Sequence, residues 1–328
     1  MSRLIVAVTG ANGYIGSHLV ASLQKKFTVY ALVRPRSNIS SLQKIACKII
    51  QLDYNSPSKL RKALYQVTIL YHLAGALPNQ PISDADYFSA NADLVQKIMQ
   101  SARRVKTIRQ FIHASTAFVC WNKELYANEQ TAAQPETIYE RSKYRGEQYA
   151  LEMMGKVPFQ ITIVRPGFVY GTGNKGLLVV SKLVKYGVTG IFGAGNHLFE
   201  LIHISDVVRF LVLISGNPKA ANQVFLVSEK HPQTFKHLIS ELAALLHVPT
   251  PHFFLPETIG KIFFAGLVQT NKILPMPITF SDQTYKMLYC DRAFTTAKAE
   301  SMLGFIARKP VKVGLQEVIQ DYEQQGWI

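Results

Sequence analysis

Cysteine is scarce in this chain of 328 residues: Cys47, Cys120 and Cys290 are odd in number and widely separated, with no C-x-x-C pair and no His–Cys cluster. That excludes a disulfide framework and a zinc site, and the expectation is reduced thiols in the cytoplasm. No apolar run approaches the ~20 residues that span a bilayer. The first residues read as a core strand and not as a charged segment followed by a signal h-region, so secretion is not expected. Acidic residues are also few, 21 against 36 Lys and Arg, and the net charge is +15. Such a charge suits anionic lipid, a phosphorylated cofactor and general solubility alike. The basic residues are dispersed along the sequence, without a recognition helix or an aromatic–basic motif, so nucleic acid is not an expected partner. There is no internal repeat and no low-complexity tract.

What is present is alternation. A composition of 48% hydrophobic and 17% charged residues supports a large core. Strand-like runs near 3–8, 27–33, 47–52, 67–74, 109–115 and 159–165 are separated by helix-like segments, which predicts an α/β fold with a doubly wound parallel sheet. Sites in such sheets lie at the carboxyl ends of the strands. After the first run comes Thr9-Gly10-Ala11-Asn12-Gly13-Tyr14-Ile15-Gly16, leading into a helix. Gly10 suits a sharp turn, Gly13 lets phosphates approach the backbone, and Gly16 lets helix pack on strand. The free N–H groups of the helix start then face an anion. With a second strand following, this is a Rossmann-type dinucleotide turn. From about residue 170 the pattern loosens, with helices expected over 234–247 and 313–325.

Tyr139 and Lys143 stand four apart on one predicted helix, one turn apart on the same face. The cation is expected to lower the phenol's pKa and make Tyr139 a proton donor or acceptor near neutral pH.

With Arg165-Pro166-Gly167-Phe168-Val169-Tyr170-Gly171, His72-Leu73-Ala74-Gly75, Asn91, His203-Ile204-Ser205-Asp206-Val207 and Leu303-Gly304-Phe305 in order, the chain resembles the extended short-chain dehydrogenase/reductase superfamily, which includes the NAD-dependent epimerase/dehydratases. The resemblance covers nearly the whole length. It implies a cofactor-binding Rossmann domain over 1–170 and a mainly substrate-binding part over 171–328, interleaved with the main sheet. It also implies that Thr116 hydrogen-bonds the substrate oxygen, Tyr139 exchanges the proton and Lys143 holds the nicotinamide ribose, with Ser115 and Asn91 in support. Asp93-Leu94 replaces the usual Gly-Thr after Asn91, so the helix there is expected to run differently. Cofactor contacts fall on Gly10, Asn12, Gly13, Tyr14, Ile15, Gly16, Asp53, Tyr54, Leu73, Ala74, Gly75, Pro166, Gly167 and Val169. Asp53 serves equally well as an acid at a helix start, and Arg165 reads as a structural ion-pair partner.

Cofactor choice follows from an absence. No acidic residue precedes Asp53, so none sits at the end of the second strand to hold a ribose 2′-hydroxyl; Arg34 and Arg36 stand there instead. Guanidinium groups suit a 2′-phosphate, so NADP(H) is expected over NAD(H), which stays possible. The resemblance narrows the reaction too. Ala117-Phe118 replace the Asp-Glu of the dehydratases, and Gly167-Phe168 and the stretch Gly195-Asn196-His197-Leu198-Phe199-Glu200 stand where nucleotide-sugar epimerases carry an asparagine and a diphosphate-gripping arginine, which makes the pocket less polar. The pattern is nearest the 3β-hydroxysteroid dehydrogenase and dihydroflavonol-reductase branches, whose substrates are apolar alcohols and ketones. Leu77, Phe118, Phe168, Leu177 and His197 are candidate pocket residues. An epimerase with retained cofactor and a non-catalytic NADP(H) redox sensor are the alternatives. Residues 252–278 are apolar enough to line a pocket, touch a membrane surface or pack inside the smaller part. No metal is implied. A homodimer through the Tyr139 helix and its neighbour, near 84–105, is expected.

Overall fold

In the computed structural model the described residues are 3–78, 80–120, 125–187, 191–192, 195–250, 254–255, 266 and 291–328. Seven strands form one sheet: β1 (Ile5–Thr9), β2 (Thr28–Val33), β3 (Lys48–Gln51), β4 (Ile69–His72), β5 (Gln110–Ala114), β6 (Gln160–Pro166) and β7 (Gln223–Val227). Their order is β7-β6-β5-β4-β1-β2-β3, and every pairing is parallel. This is the Rossmann-type doubly wound arrangement, with the order reversing beside β1.

Successive residues of a strand point to opposite faces, and the core divides accordingly. Val6 and Val8 of β1 face α1 (Tyr14–Leu23) and α7 (Ile204–Leu213), in a cluster with Leu19, Val20 and Phe210. Ala7 faces the other side, where α2 (Pro57–Leu64), α4 (Leu94–Ala102) and α5 (Ile138–Met153) bury Leu60, Ile98 and Ala150. A separate cluster joins α6 (Leu178–Lys185), α8 (Phe235–Leu245) and α10 (Val311–Gln324) through Val184, Leu242 and Leu315.

The six expected strand runs correspond to β1–β6 with shifted ends. β7 was not anticipated, because its five residues begin at Gln223 inside the half that reads as loosely patterned. It pairs with β6, and α7 and α9 (Ala297–Leu303) pack against the same core as α1. Segments beyond residue 170 thus complete the main sheet. The helix expected at 313 begins at Val311, where Pro310 occupies the N-cap position. Of the apolar stretch 252–278, only Phe254–Leu255 and Gly266 are among the described residues, and Cys290 lies outside them. Among the described residues no helix is long and apolar enough to cross a membrane, and no cluster of metal-ligating side chains occurs.

Candidate active site

The carboxyl edge of the sheet begins with the turn after β1. Gly10 has φ +65°, and a Cβ there would come within 2.7 Å of the Ala74 backbone nitrogen. At Gly16 a side chain would collide with the Gly10 carbonyl. Both positions require glycine, one for conformation and one for close approach. Helix α1 starts with no side-chain cap and no acid in its first turn. Its first N–H groups and positive dipole end are thus free to receive an anion, which fits a dinucleotide pyrophosphate.

Asn12 Nδ2 donates to the Asn38 carbonyl at 3.1 Å, which ties the loop after β2 to this turn. That loop carries Arg34 and Arg36, both exposed, with Arg36 at φ +60°. A non-glycine residue in the left-handed region is uncommon and marks a constrained backbone. Asp53 is exposed and accepts from Asn55 N at 2.9 Å; the α2 N-cap position belongs to Ser56. The Tyr54 hydroxyl donates to Leu32 O at 2.8 Å, so its ring is buried as packing below the edge. Thr9 Oγ1 shares a 2.8 Å hydrogen bond with His72 Nδ1 and accepts from Ala74 N at 3.3 Å, which aligns Leu73 to Gly75 beside Gly10.

Helix α5 is pinned at several points along its length. At its start, Thr137 Oγ1 accepts from Glu140 N at 3.2 Å while Glu140 Oε2 accepts from Thr137 N at 3.1 Å, a reciprocal cap. One turn on, Ser142 Oγ donates to the Tyr139 carbonyl and accepts from Asn91 Nδ2 at 2.9 Å. Asn91 Oδ1 accepts from Ala76 N at 2.8 Å and so links α5 to the segment after β4. Asn91 lies in a π-helical turn, Ser89–Asp93, between α3 (Asp84–Phe88) and α4. The altered Asp93-Leu94 sequence coincides with that change in winding. Gly146 packs so closely on the Asn91 carbonyl that no side chain fits there. Lower down, Arg165 on β6 grips Glu147 through Nε at 3.1 Å and Nη2 at 2.5 Å, with both side chains buried. Arg165 is a structural ion-pair partner.

These restraints bring Tyr139 and Lys143 against the end of β5. The Tyr139 hydroxyl lies close enough to the Thr116 side chain for that group to oppose the rise in its pKa, and Thr116 Oγ1 accepts from Phe118 N at 3.4 Å. Ser115 is buried beside Thr116, its N donating to Val164 O at 2.8 Å. The expectation that Lys143 lowers the phenol's pKa is corrected. Burial pushes Tyr139 well above its ordinary value, opposed by the Thr116 side chain and reinforced by Glu140 and Tyr87. The Lys143 ammonium donates to the Ala114 carbonyl at 2.5 Å. Lys143 itself, 8% exposed, is drawn down by burial to about 8, against the pull of Glu147.

Two histidines escaped notice as a pair. His72 and His113 stack at 5.5 Å on adjacent strands; burial and the Lys143 charge hold His72 near 3 and His113 well below its ordinary value. Both are held neutral by their surroundings.

The candidate pocket residues separate. Phe118 packs at 6.3 Å from Phe294, and Phe168 at 5.6 Å from Phe199. His197 stacks on Phe235 at 4.9 Å, whereas Leu177 is sealed into the α6/α8/α10 core and Leu77 is open to solvent. Pro166 ends β6 and Gly167 and Val169 follow it, with Gly167 N donating to Val227 O at 2.9 Å and Ser228 closing on Gly167. Sequence reasoning missed Arg292, Phe294 and Glu200. Arg292 is buried with its guanidinium 4.3 Å from the Phe118 ring centre, and Glu200 Oε2 accepts from Phe294 N at 2.6 Å. Burial raises the Glu200 carboxyl well above the usual range. These contacts join segments far apart in sequence, and no local motif announces them.

The model of the family described as "NAD dependent epimerase/dehydratase family" matches residues 6–228. The chain belongs to the NAD-dependent epimerase/dehydratase family. It is therefore an enzyme of the extended short-chain dehydrogenase/reductase type. The UDP-glucose 4-epimerase of Vibrio cholerae is 26% identical, over 79% of this chain and 80% of that protein. The 3β-hydroxysteroid-dehydrogenase/decarboxylase isoform 2 of Arabidopsis thaliana is 24% identical over 96% of this chain and 61% of its own length. Among solved structures, the UDP-glucuronic acid 4-epimerase of Bacillus cereus in complex with NAD superposes with a TM-score of 0.78 at 21% identity, covering 98% of this chain and 99% of that one.

Proposed function

We propose that this family member is an oxidoreductase moving a hydride between NADP(H) and a secondary alcohol or ketone of apolar character. The observation that carries the reading is the aromatic wall beside the Thr116–Tyr139 pair, where Phe118, Phe168, Phe199 and Phe294 pack together. An apolar ring system buries against such a wall, and a sugar leaves its hydroxyls without partners there.

The free amides at the start of α1 would hold the pyrophosphate, Arg34 and Arg36 a 2′-phosphate, and Lys143 the nicotinamide ribose. The bound nicotinamide supplies or accepts the hydride. In the reductive direction Thr116 Oγ1 donates to the substrate carbonyl oxygen, and the Tyr139 hydroxyl gives that oxygen its proton as the carbon takes the hydride. The raised phenol pKa keeps Tyr139 protonated for this step, and the Thr116 side chain, the group that opposes the upward shift, stabilises the phenolate left behind. In oxidation Tyr139 takes the proton back. Asn91, Ser142 and Gly146 fix the helix that aims both groups.

The alternative is a nucleotide-sugar epimerase that retains its cofactor. The observation favouring it is the buried Arg292 guanidinium over Phe118, a charge suited to an anionic substrate group. Incubation with apolar secondary alcohols and excess NADP separates the two. Net NADPH formation exceeding the enzyme concentration supports the oxidoreductase; interconversion of UDP-sugars with no net cofactor change would replace it by the epimerase.

We further propose that the enzyme is a cytoplasmic homodimer paired through α4 and α5. Light scattering is expected to give twice the chain mass, and a value near 36.7 kDa would refute the pairing.

A further inference from the structure

Basic residues dispersed along the sequence are collected by the topology. In a parallel sheet every strand begins at one edge, and the helices that precede the strands end there. Arg3 leads into β1, Lys25 and Lys26 into β2, and Lys44 and Lys48 into β3. Arg103, Arg104, Lys106 and Arg109 fill the connection before β5, Lys156 that before β6, and Lys219 that before β7. All are exposed, and none pairs with a carboxylate among the described residues. The connections 24–27, 43–47, 65–68, 103–109, 154–159 and 214–222 contain no Asp or Glu.

These connections form one continuous floor. Arg3 Nη1 donates to Gln24 O at 3.2 Å, and Ala46 N donates to Gln24 Oε1 at 2.7 Å, which joins the approaches to β1, β2 and β3. Thr107 Oγ1 donates to Tyr65 O at 2.9 Å, and Gly216 N to Gln110 Oε1 at 2.8 Å, which joins those to β4, β5 and β7. Seven strands at the usual spacing make the floor roughly 29 Å wide. Exposed apolar side chains stand among the cations: Leu4 at 54%, Tyr65 at 73% and Leu213 at 37%.

Cations near helix C-termini are favoured by the helix dipole. Arg3 and Arg109 do donate to nearby carbonyls. The dipole accounts neither for the absence of every acid from six connections nor for the leucines and tyrosine left in water.

We propose that this floor docks on an anionic lipid bilayer. Headgroup phosphates complement the cations, and the interfacial zone takes Leu4, Tyr65 and Leu213, a pairing of charge with apolar surface that membranes reward. The candidate active site opens at the opposite edge, so docking leaves the cofactor cleft facing water. The inference does not depend on which substrate the enzyme uses.

Sedimentation with vesicles of two parts phosphatidylcholine to one part phosphatidylserine tests it. The full chain is expected to bind these vesicles, to ignore phosphatidylcholine alone, and to be released at about 1 M NaCl, where the Debye length falls to ~3 Å. The quadruple variant Lys25→Glu, Lys26→Glu, Arg103→Glu, Arg104→Glu should bind at least about a hundredfold more weakly, with cofactor affinity and thermal melting retained. The same four positions changed to Gln give a milder variant that keeps the test decisive if the glutamates perturb folding, and Tyr65→Ser should weaken binding severalfold. Equal binding to neutral and anionic vesicles, or to neither, would overturn the proposal. So would retention by single-stranded RNA at salt that releases the vesicles, which assigns the floor to nucleic acid.

Discussion

At the carboxyl edge of the sheet the connections after β1, β4 and β5 carry Gly10, Ala74 and Thr116, whereas at the amino edge those leading into β2, β3 and β5 carry Lys25, Lys44 and Arg103. The first edge runs from half-buried at Gly10 and Ala74 to buried at Thr116, is dense in side-chain hydrogen bonds and is intolerant of extra atoms at Gly10 and Gly16. The second is solvated and charged, and is tied by single bonds between a side chain and the backbone of a neighbouring connection. Both are strand–helix connections of one fold, so the difference comes from side chains and not from architecture. Substitutions at the carboxyl edge should therefore cost catalysis or stability, and those at the amino edge neither.

The sharpest break in that comparison is Tyr139→Phe. With the proton donor gone, kcat on an identified substrate should fall by a factor on the order of 10²–10⁴ while cofactor affinity stays nearly unchanged. Lys25→Gln at the other edge should leave both intact. Steady-state kinetics with a fluorescence titration of the cofactor reads both quantities.

Glu147→Ala comes next. It strands the Arg165 guanidinium, buried with Glu147 as its bidentate partner, and should lower stability by about 3–5 kcal/mol in denaturant unfolding. Replacing both partners by apolar residues of similar size should recover much of the loss.

Lys143 predicts a pH dependence. Its value is about 8 in the folded chain against an ordinary 10.5, so between those limits the unfolded state binds more protons and stability rises with pH. The rise should be at most about 3 kcal/mol, and Lys143→Met should flatten it. A melting temperature that falls from pH 8 to 10 in the wild type, beyond the fall seen in that variant, would reverse the assignment.

The smallest effect sits where the two characters meet, at exposed cations on the carboxyl edge. Arg34→Ala should weaken NADPH by ~1.5–3 kcal/mol and leave NADH nearly unaffected, because NADH has no 2′-phosphate for a charge-assisted bond. Equal losses in isothermal titration would remove the argument from the missing carboxylate.

Legibility followed the range of the interactions. The turn at Gly10 to Gly16 and the pair Tyr139 and Lys143 are local patterns with fixed periods, so they stand out in the sequence. Six strands are visible for the same reason, and β7 is not, because its short run has no periodic context. The direction of the Tyr139 shift was misjudged because burial is a tertiary property, and here it outweighs any nearby cation. Arg292, Glu200 and Phe294 meet Phe118 and its neighbours only after the chain has crossed the sheet. The charged floor was invisible for a related reason: residues scattered through the sequence share a surface solely because parallel strands all begin on one side.

A crystal structure of the enzyme with NADP is the most direct test of the central claim that the carboxyl edge is a redox site. The account predicts the pyrophosphate on the amides at the start of α1, the 2′-phosphate on Arg34 or Arg36, and the nicotinamide beside Tyr139 and Lys143. A cofactor bound elsewhere, or seated with its nicotinamide out of reach of Tyr139, would contradict it.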